Sequence, residues 1–327
     1  MREGSYDSLT ADRGRTALLR FAKTTWALIV LVLAAASLPH GTATATSAVV
    51  VASKIDTEGA LLGNMIAAVL SANGIAVDRR LQLGPTNIVR AALLAAQIDL
   101  YPEYTGNGAQ FFHRETDPAW KDAAKGYALV KSLDAGGNHL AWLAPAPANN
   151  TWVIALRKDI PDFPTRFCLD DLATYLAEGG RFKLAASAEF VENPQALPAF
   201  EATYGFQLRA AQLLTLSGGN TAATLRAAAE GTSGVNAAMA YGTDGALAAL
   251  GLRALCDDKG AQVVYAPAPV VRQAVIDAHP DIAKLLDPVF ASLTLETLQS
   301  LNERIAVEGE EAASVAADYL RSKRFLP

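Results

Sequence analysis

Between residues 48 and 100, short β-branched runs alternate with stretches of helical period, and few folds are open to such a chain. Residues 48–53 read as a buried strand, and 54–58 as a short polar turn. Residues 59–72 place apolar side chains at helical spacing, and Asn73-Gly74 is a stop signal. A weak strand is predicted at 80–83. Thr86 is expected to cap a second helix reaching residue 96, and 98–100 is a third strand. Strand, helix, strand, helix, strand is the signature of a parallel sheet.

The pattern resumes after Pro145 and Pro147. Strands are predicted at 152–156, 183–186, 235–240 and 262–265. Helices are predicted at 169–178, 197–204, from 221 to 229, and over the last sixty residues at 270–278, 281–290, 295–306 (with Thr294 as a cap) and 310–322. The sharpest stretch is Ile98-Asp-Leu-Tyr-Pro-Glu-Tyr-Thr-Gly-Asn-Gly108. Its apolar run is expected to break at Pro102, which has no N–H and disfavours a helical Tyr101. Polar and aromatic residues thus follow several strands: Lys54, Tyr101 to Asn107, Asn149 to Trp152, and Tyr241 to Asp244. In a doubly wound sheet such strand ends converge on one crevice.

The chain has 327 residues, but its first 45 read as a leader. Arg13, Arg15, Arg20 and Lys23 precede an apolar run at 26–36, and Ala43-Thr44-Ala45 fits a small-x-small cleavage site, the layout of a signal peptide. The run is short for a membrane span, so an uncleaved anchor is the secondary reading. Removing residues 1–45 takes five of 28 basic and three of 33 acidic residues, leaving 23 against 30 and a net charge of −7. No basic run or basic–aromatic patch points to nucleic acid. The remaining 280 or so residues suit two lobes better than one core. Cys168 and Cys256 are compatible with a disulfide in an exported protein, or with two buried thiols.

Catalytic signatures are sparse. His113, His139 and His279 have no metal-ligand spacing to one another or to the cysteines, and there is no Gly-x-Ser-x-Gly elbow. Leu216-Ser217-Gly218-Gly219-Asn220 imitates the signature loop of transporter ATPases. The phosphate-binding Gly-x-x-x-x-Gly-Lys-Ser/Thr is absent, so these residues read as a loop before a helix. No metal, cofactor or enzymatic activity is expected. The aromatic residues are more telling: rings from different strand ends can enclose a cation that has no N–H to donate, with Lys54 available for an anionic group at its other end. The competing reading is that Trp152 and Tyr241 are ordinary packing aromatics.

Four segments, in this order, resemble the substrate-binding proteins of quaternary-ammonium osmoprotectant uptake systems, the OsmF type above all: Ser53-Lys-Ile-Asp-Thr-Glu58, Tyr101-Pro-Glu-Tyr-Thr-Gly106, Asn149-Asn-Thr-Trp152 and Tyr241-Gly-Thr-Asp-Gly245. The resemblance runs from about Val49 to Leu326. It implies an α/β, two-lobed periplasmic binding protein of type II topology, with two chain crossings at the hinge, near Asn150 and near Leu252. Lobe 1 is then 46–150 plus 252–327, and lobe 2 is 151–251. It implies no catalysis. A monomer is expected to carry glycine betaine or a relative to the permease of an ABC transporter. Tyr104, Trp152 and Tyr241 become cage walls, Lys54 reaches the ligand carboxylate, and Thr105, Asn107, Asn150 and Thr243 line the site.

Three positions depart from the family pattern. Gly59 stands where Gln is common, Asn193 is nearest to a common carboxylate-binding Arg, and no tyrosine lies between Asn220 and Ala222. Asn193 and Asn220 are retained as candidate ligand contacts. A lost charge-assisted pair, on the order of 1.5–3 kcal/mol, would weaken betaine binding about 10-fold or more. The alternative ligand is a cationic amino acid or polyamine, for which Glu58, Glu103, Glu192 and Asp244 are available.

Overall fold

The computed structural model describes residues 48–216 and 221–326; the expected leader, the loop residues 217–220 with Asn220, and Pro327 lie outside them. Among the described residues, ten strands form two sheets: β1 (Val49–Lys54), β2 (Val77–Gly84), β3 (Leu100–Tyr104), β4 (Leu140–Trp142), β5 (Trp152–Arg157), β6 (Leu184–Ser187), β7 (Leu213–Leu216), β8 (Ala237–Tyr241), β9 (Leu252–Ala254) and β10 (Pro267–Arg272). The orders are β2-β1-β3-β10-β4 and β7-β6-β8-β5-β9. In the first sheet β1 is parallel to β2 and β3, while β10 runs antiparallel to β3 and β4. In the second, β6 is parallel to β7 and β8, while β5 runs antiparallel to β8 and β9. Each lobe is therefore a mainly parallel sheet that receives one antiparallel strand directly from a crossing segment.

Helices cover both sheets. The helix Thr57–Ala72 buries Leu61, Leu62, Met65, Ile66 and Leu70 against the first sheet and the C-terminal helices. Each such side chain contributes about 1.5–3 kcal/mol of transfer free energy. The second sheet packs Ile154, Leu184, Phe190, Phe200 and Met239 into a separate core.

Several predicted elements shift, for local reasons. The first helix begins at Thr57, inside the expected polar turn, because the Asp56 carboxylate accepts from the Gly59 N–H at 2.7 Å and caps it. Thr86 is the first residue of the second helix, Thr86–Leu94; Pro85 occupies the cap position, without a side-chain bond. Strand β3 does not break at Pro102. That residue lies opposite Pro269, and two residues lacking N–H can face each other only at a non-hydrogen-bonded pair, where neither donor is needed. The expected helix at 270–278 starts at Gln273, because Val270 and Val271 are fully buried in β10, where β-branched side chains fit the pleat. The strand predicted at 262–265 is a connecting segment.

The chain passes from the first sheet to the second between Trp142 and Trp152. The expected return near Leu252 comes later. Strand β9 pairs with β5, and Leu255 and Ala261 are buried in the second lobe's core, whereas Val263 packs in the first lobe's. The two crossings are laced together. Thr151 Oγ1 donates to the Val263 carbonyl at 2.8 Å, Asn150 N to the Tyr265 carbonyl at 3.0 Å, and Tyr265 N to Asn149 Oδ1 at 2.8 Å.

Cys168 and Cys256, 88 positions apart in sequence, are joined in a disulfide with their Cα atoms 4.3 Å apart. The bond ties the start of the helix Leu169–Ala177 to the segment after β9. Closing so long a loop restricts the unfolded chain, so reduction, or Cys168→Ser with Cys256→Ser, is expected to cost about 2–5 kcal/mol. Thermal denaturation with and without reductant checks this; an unchanged midpoint would show that the sulfurs are unpaired in solution.

Candidate ligand-binding site

The end of β1 and the start of the next helix converge on a buried carboxylate. Gly59 allows this: a Cβ there would lie 2.8 Å from the Lys54 carbonyl oxygen, so the helix could not approach the strand so closely with a larger residue. Any larger residue at position 59 would force the helix to move away from the strand. Glu58, in the first turn, lies where the helix dipole favours negative charge. Its Oε1 accepts from the Tyr104 hydroxyl at 2.7 Å and from Asn150 Nδ2 at 3.2 Å, and its Oε2 accepts from Asn302 Nδ2 at 2.8 Å.

A second carboxylate, Glu103, is completely buried at the end of β3. It accepts from the Tyr101 hydroxyl, the Tyr104 N–H and Asn107 Nδ2, each at 2.7 Å, and it pairs with the Lys54 ammonium. The ammonium also sits 4.5 Å from the Tyr104 ring centroid. Lys54 therefore borders the site with its charge engaged by Glu103. Tyr101 is a core residue whose ring packs inside the first lobe.

These groups open onto a cavity of 620 Å3 bounded by both lobes. From the second lobe come Trp152 and Tyr241, directly opposite each other on the antiparallel pair β5–β8 and hence on one face of the sheet. Trp152 is braced edge-to-face by Phe190, with centroids 6.1 Å apart. Tyr241 leads into the turn that carries Thr243 and Asp244, whose carboxylate accepts from the Tyr241 N–H at 2.8 Å and from Thr221 Oγ1 at 3.2 Å.

Of the sequence-predicted residues, Lys54, Tyr104, Asn107, Asn150, Trp152, Tyr241 and Thr243 border the cavity. Two do not. Thr105 is buried behind it, with Oγ1 donating to the Val264 carbonyl and accepting from the Ala266 N–H, both at 3.1 Å, so it clamps the return crossing. Asn193 follows the short helix Ala188–Glu192, and its Oδ1 accepts from the Gln195 N–H at 2.9 Å; Glu189, one turn earlier, borders the cavity in its place. Asn220 lies outside the described residues. Sequence reading missed Tyr265, a further ring in the wall, and Asn302, which arrives from the helix Leu295–Ala306. Tyr265 was hidden in the expected strand 262–265, and Asn302 inside an amphipathic helix; neither belongs to the strand-end clusters that marked the other candidates.

The lining is acidic. Asp56, Glu58, Glu189 and Asp244 face one basic residue, Lys54, which is already paired. Burial pushes the Glu58 and Asp244 carboxyls above their ordinary values, opposed at Glu58 by hydrogen bonds from Thr243, Tyr104 and Asn302 and at Asp244 by the Tyr241 N–H and Thr221. Burial also raises Tyr104 far above the usual phenol range, with Glu58 adding to it, and brings Tyr265 to about 12. At neutral pH these phenols are uncharged rings with intact hydroxyl donors. Such a site attracts cations, and its ring faces favour those that need no hydrogen-bond acceptor.

Residues 47–322 match the family OpuAC, the substrate binding domain of the ABC-type glycine betaine transport system. The chain is 58% identical over 298 residues to the glycine betaine-binding protein YehZ of Escherichia coli, covering 91% of this chain and 97% of that protein. It is 32% identical over 279 residues to a glycine-betaine-binding protein of Pseudomonas aeruginosa, covering 84% and 87%. Among solved structures, apo YehZ from Escherichia coli superposes with a TM-score of 0.79 at 59% identity, covering 85% of this chain and 99% of that one. A glycine betaine/carnitine/choline ABC transporter structure gives 0.74 at 18% identity over 85% and 99% of the two chains, which speaks for the fold. The protein is a substrate-binding protein of the ABC-transporter class. It belongs to the OpuAC family.

The Glu58 environment carries a pH signature. With its carboxyl raised above the ordinary 4.5, the folded chain holds a proton at a pH where the unfolded chain has lost it. Its contribution to stability is therefore largest at low pH and is lost as pH rises through the interval between 4.5 and the raised value. The thermal midpoint of the wild type, relative to Glu58→Gln, is expected to rise as the buffer is taken from neutral to mildly acidic. A difference that is constant across that range would mean that Glu58 is not desolvated.

Proposed function

We propose that this protein captures a small quaternary-ammonium solute of the glycine betaine kind between its lobes and passes it to the permease of an ABC importer, acting as an exported periplasmic monomer and performing no catalysis. The observation that carries this reading is the meeting of Tyr104, Trp152, Tyr241 and Tyr265 at one acidic cavity. A trimethylammonium group has no N–H; ring faces stabilise it electrostatically, each by about 0.5–2 kcal/mol once water is excluded. Tyr265 supplies a ring where the sequence offers none between 220 and 222. Lys54 keeps donors beyond the one given to Glu103, and these suit the ligand carboxylate.

Family membership and the YehZ likeness favour glycine betaine itself. Relatives named for other solutes, such as carnitine and ergothioneine, are similar over most of this chain at 20% and 25% identity. Export is supported by the basic and apolar leader and by the family's role, and among the described residues no helix is long and apolar enough to cross a membrane. One observation favours a second reading, a cationic amino acid or polyamine: carboxylates outnumber basic groups in the lining, and such ligands would use them as acceptors.

Titration calorimetry with glycine betaine, choline, carnitine and a polyamine separates the readings. Trp152→Ala and Tyr241→Ala are each expected to weaken betaine binding about 2- to 30-fold, the equivalent of one ring, while far-ultraviolet dichroism stays native. Normal binding by both variants, or heat from the polyamine alone, would refute the cage.

A further inference from the structure

The helix Leu295–Ala306, which precedes the last helix Ala312–Ser322, packs with the first lobe's core, through Leu298 and Leu301. It also reaches the second lobe at the turn after β8. Gln299 Nε2 donates to the Gly242 carbonyl at 2.7 Å, and Asn302 Nδ2 to the Thr243 carbonyl at 3.0 Å. The approach is close: a Cβ on Gly245 would lie 2.1 Å from the Glu303 backbone nitrogen. Asn302 Nδ2 also donates to Glu58 Oε2 at 2.8 Å. A carboxylate and a carbonyl can only accept, so this amide has one possible orientation, with both protons committed. The result is an unbroken path between the cage walls: the Tyr104 hydroxyl to Glu58, Glu58 to Asn302, Asn302 to the Thr243 carbonyl, and from there two residues back to Tyr241.

We propose that Asn302, held by Glu58, is an inter-lobe clasp that draws the Tyr241 turn onto the helix Leu295–Ala306 and so sets the spacing of the two ring walls. Asn302 is a positioning residue. In its role the amide bridges an acceptor from each lobe, and Gly245 keeps the docking surface clear. The inference deepens the cage reading and depends on it only for its ligand readout, because the clasp acts on the lobes whether or not a solute is bound.

The test is a distance measurement by double electron–electron resonance between spin labels at exposed Ser71 in the first lobe and Gln207 in the second; the native cysteines are disulfide-bonded and take no label. Asn302→Leu, which keeps the volume and removes both donors, is expected to lengthen and broaden the inter-lobe distance without ligand, and to leave it incompletely closed at saturating glycine betaine. Its affinity for glycine betaine should fall 10-fold or more. Gly245→Ala, which leaves Asn302 and Glu58 intact, should have the same effect on the distance by steric exclusion. Wild-type distances in both variants would overturn the clasp, even if their thermal midpoints fell. Should no form of the protein bind glycine betaine, the ligand reading fails, and the unliganded distances still decide the clasp.

Discussion

A carboxylate taken out of water has to be met by donors, and the arrangement around Glu58 follows from that requirement. Left alone, such a group costs several kcal/mol. Its donors come from separated parts of the chain: Tyr104 at the end of β3, Asn150 in the first crossing, Thr243 in the turn after β8, and Asn302 near the C-terminus. Satisfying one side chain thus fixes a ring, a hinge segment and a helix relative to one another. Glu103 repeats the pattern nearby with Tyr101, Asn107, Lys54 and the Tyr104 N–H. Tyr104 lies between the two carboxylates, its hydroxyl bound to one and its backbone to the other, which leaves its ring little freedom to turn away from the cavity.

The sheets deliver the remaining walls. Because β5 enters the second sheet antiparallel to β8, Trp152 at its first position comes opposite Tyr241 at the last position of β8. Had β5 joined parallel, the two rings would stand at opposite ends of the sheet. The same construction in the first sheet inserts β10 beside β3, which brings the crossing residue Tyr265 next to the Tyr104 end. One insertion per lobe, each following a crossing, therefore accounts for rings converging from both lobes on one cavity.

Much of this was legible in the sequence. Alternating strand and helix patterns gave the α/β class, and ring-bearing strand ends marked Tyr104, Trp152 and Tyr241 before any geometry was known. What escaped had physical causes. Pro102 looked like a strand terminator, because local sequence cannot show that its partner is Pro269, a pairing that makes both missing donors harmless. Thr105 had the right neighbours in sequence, but its hydroxyl is used by the return crossing, more than 150 residues away. Tyr265 and Asn302 carry no local signal, because their place in the site is set by contacts with segments far off in the chain. The return crossing lies later than Leu252 for the same reason: β9 is three residues long, and only its pairing with β5 assigns it to the second lobe.

Rings from both lobes above an acidic floor suit a quaternary ammonium group. The most direct measurement is a crystal structure of the protein with glycine betaine. Its trimethylammonium group is expected within about 6 Å of the Tyr104, Trp152 and Tyr241 ring centroids, with its carboxylate toward Lys54. Glycine betaine seated away from those rings, for instance in the separate cleft between Glu115 and Gln195, would contradict it.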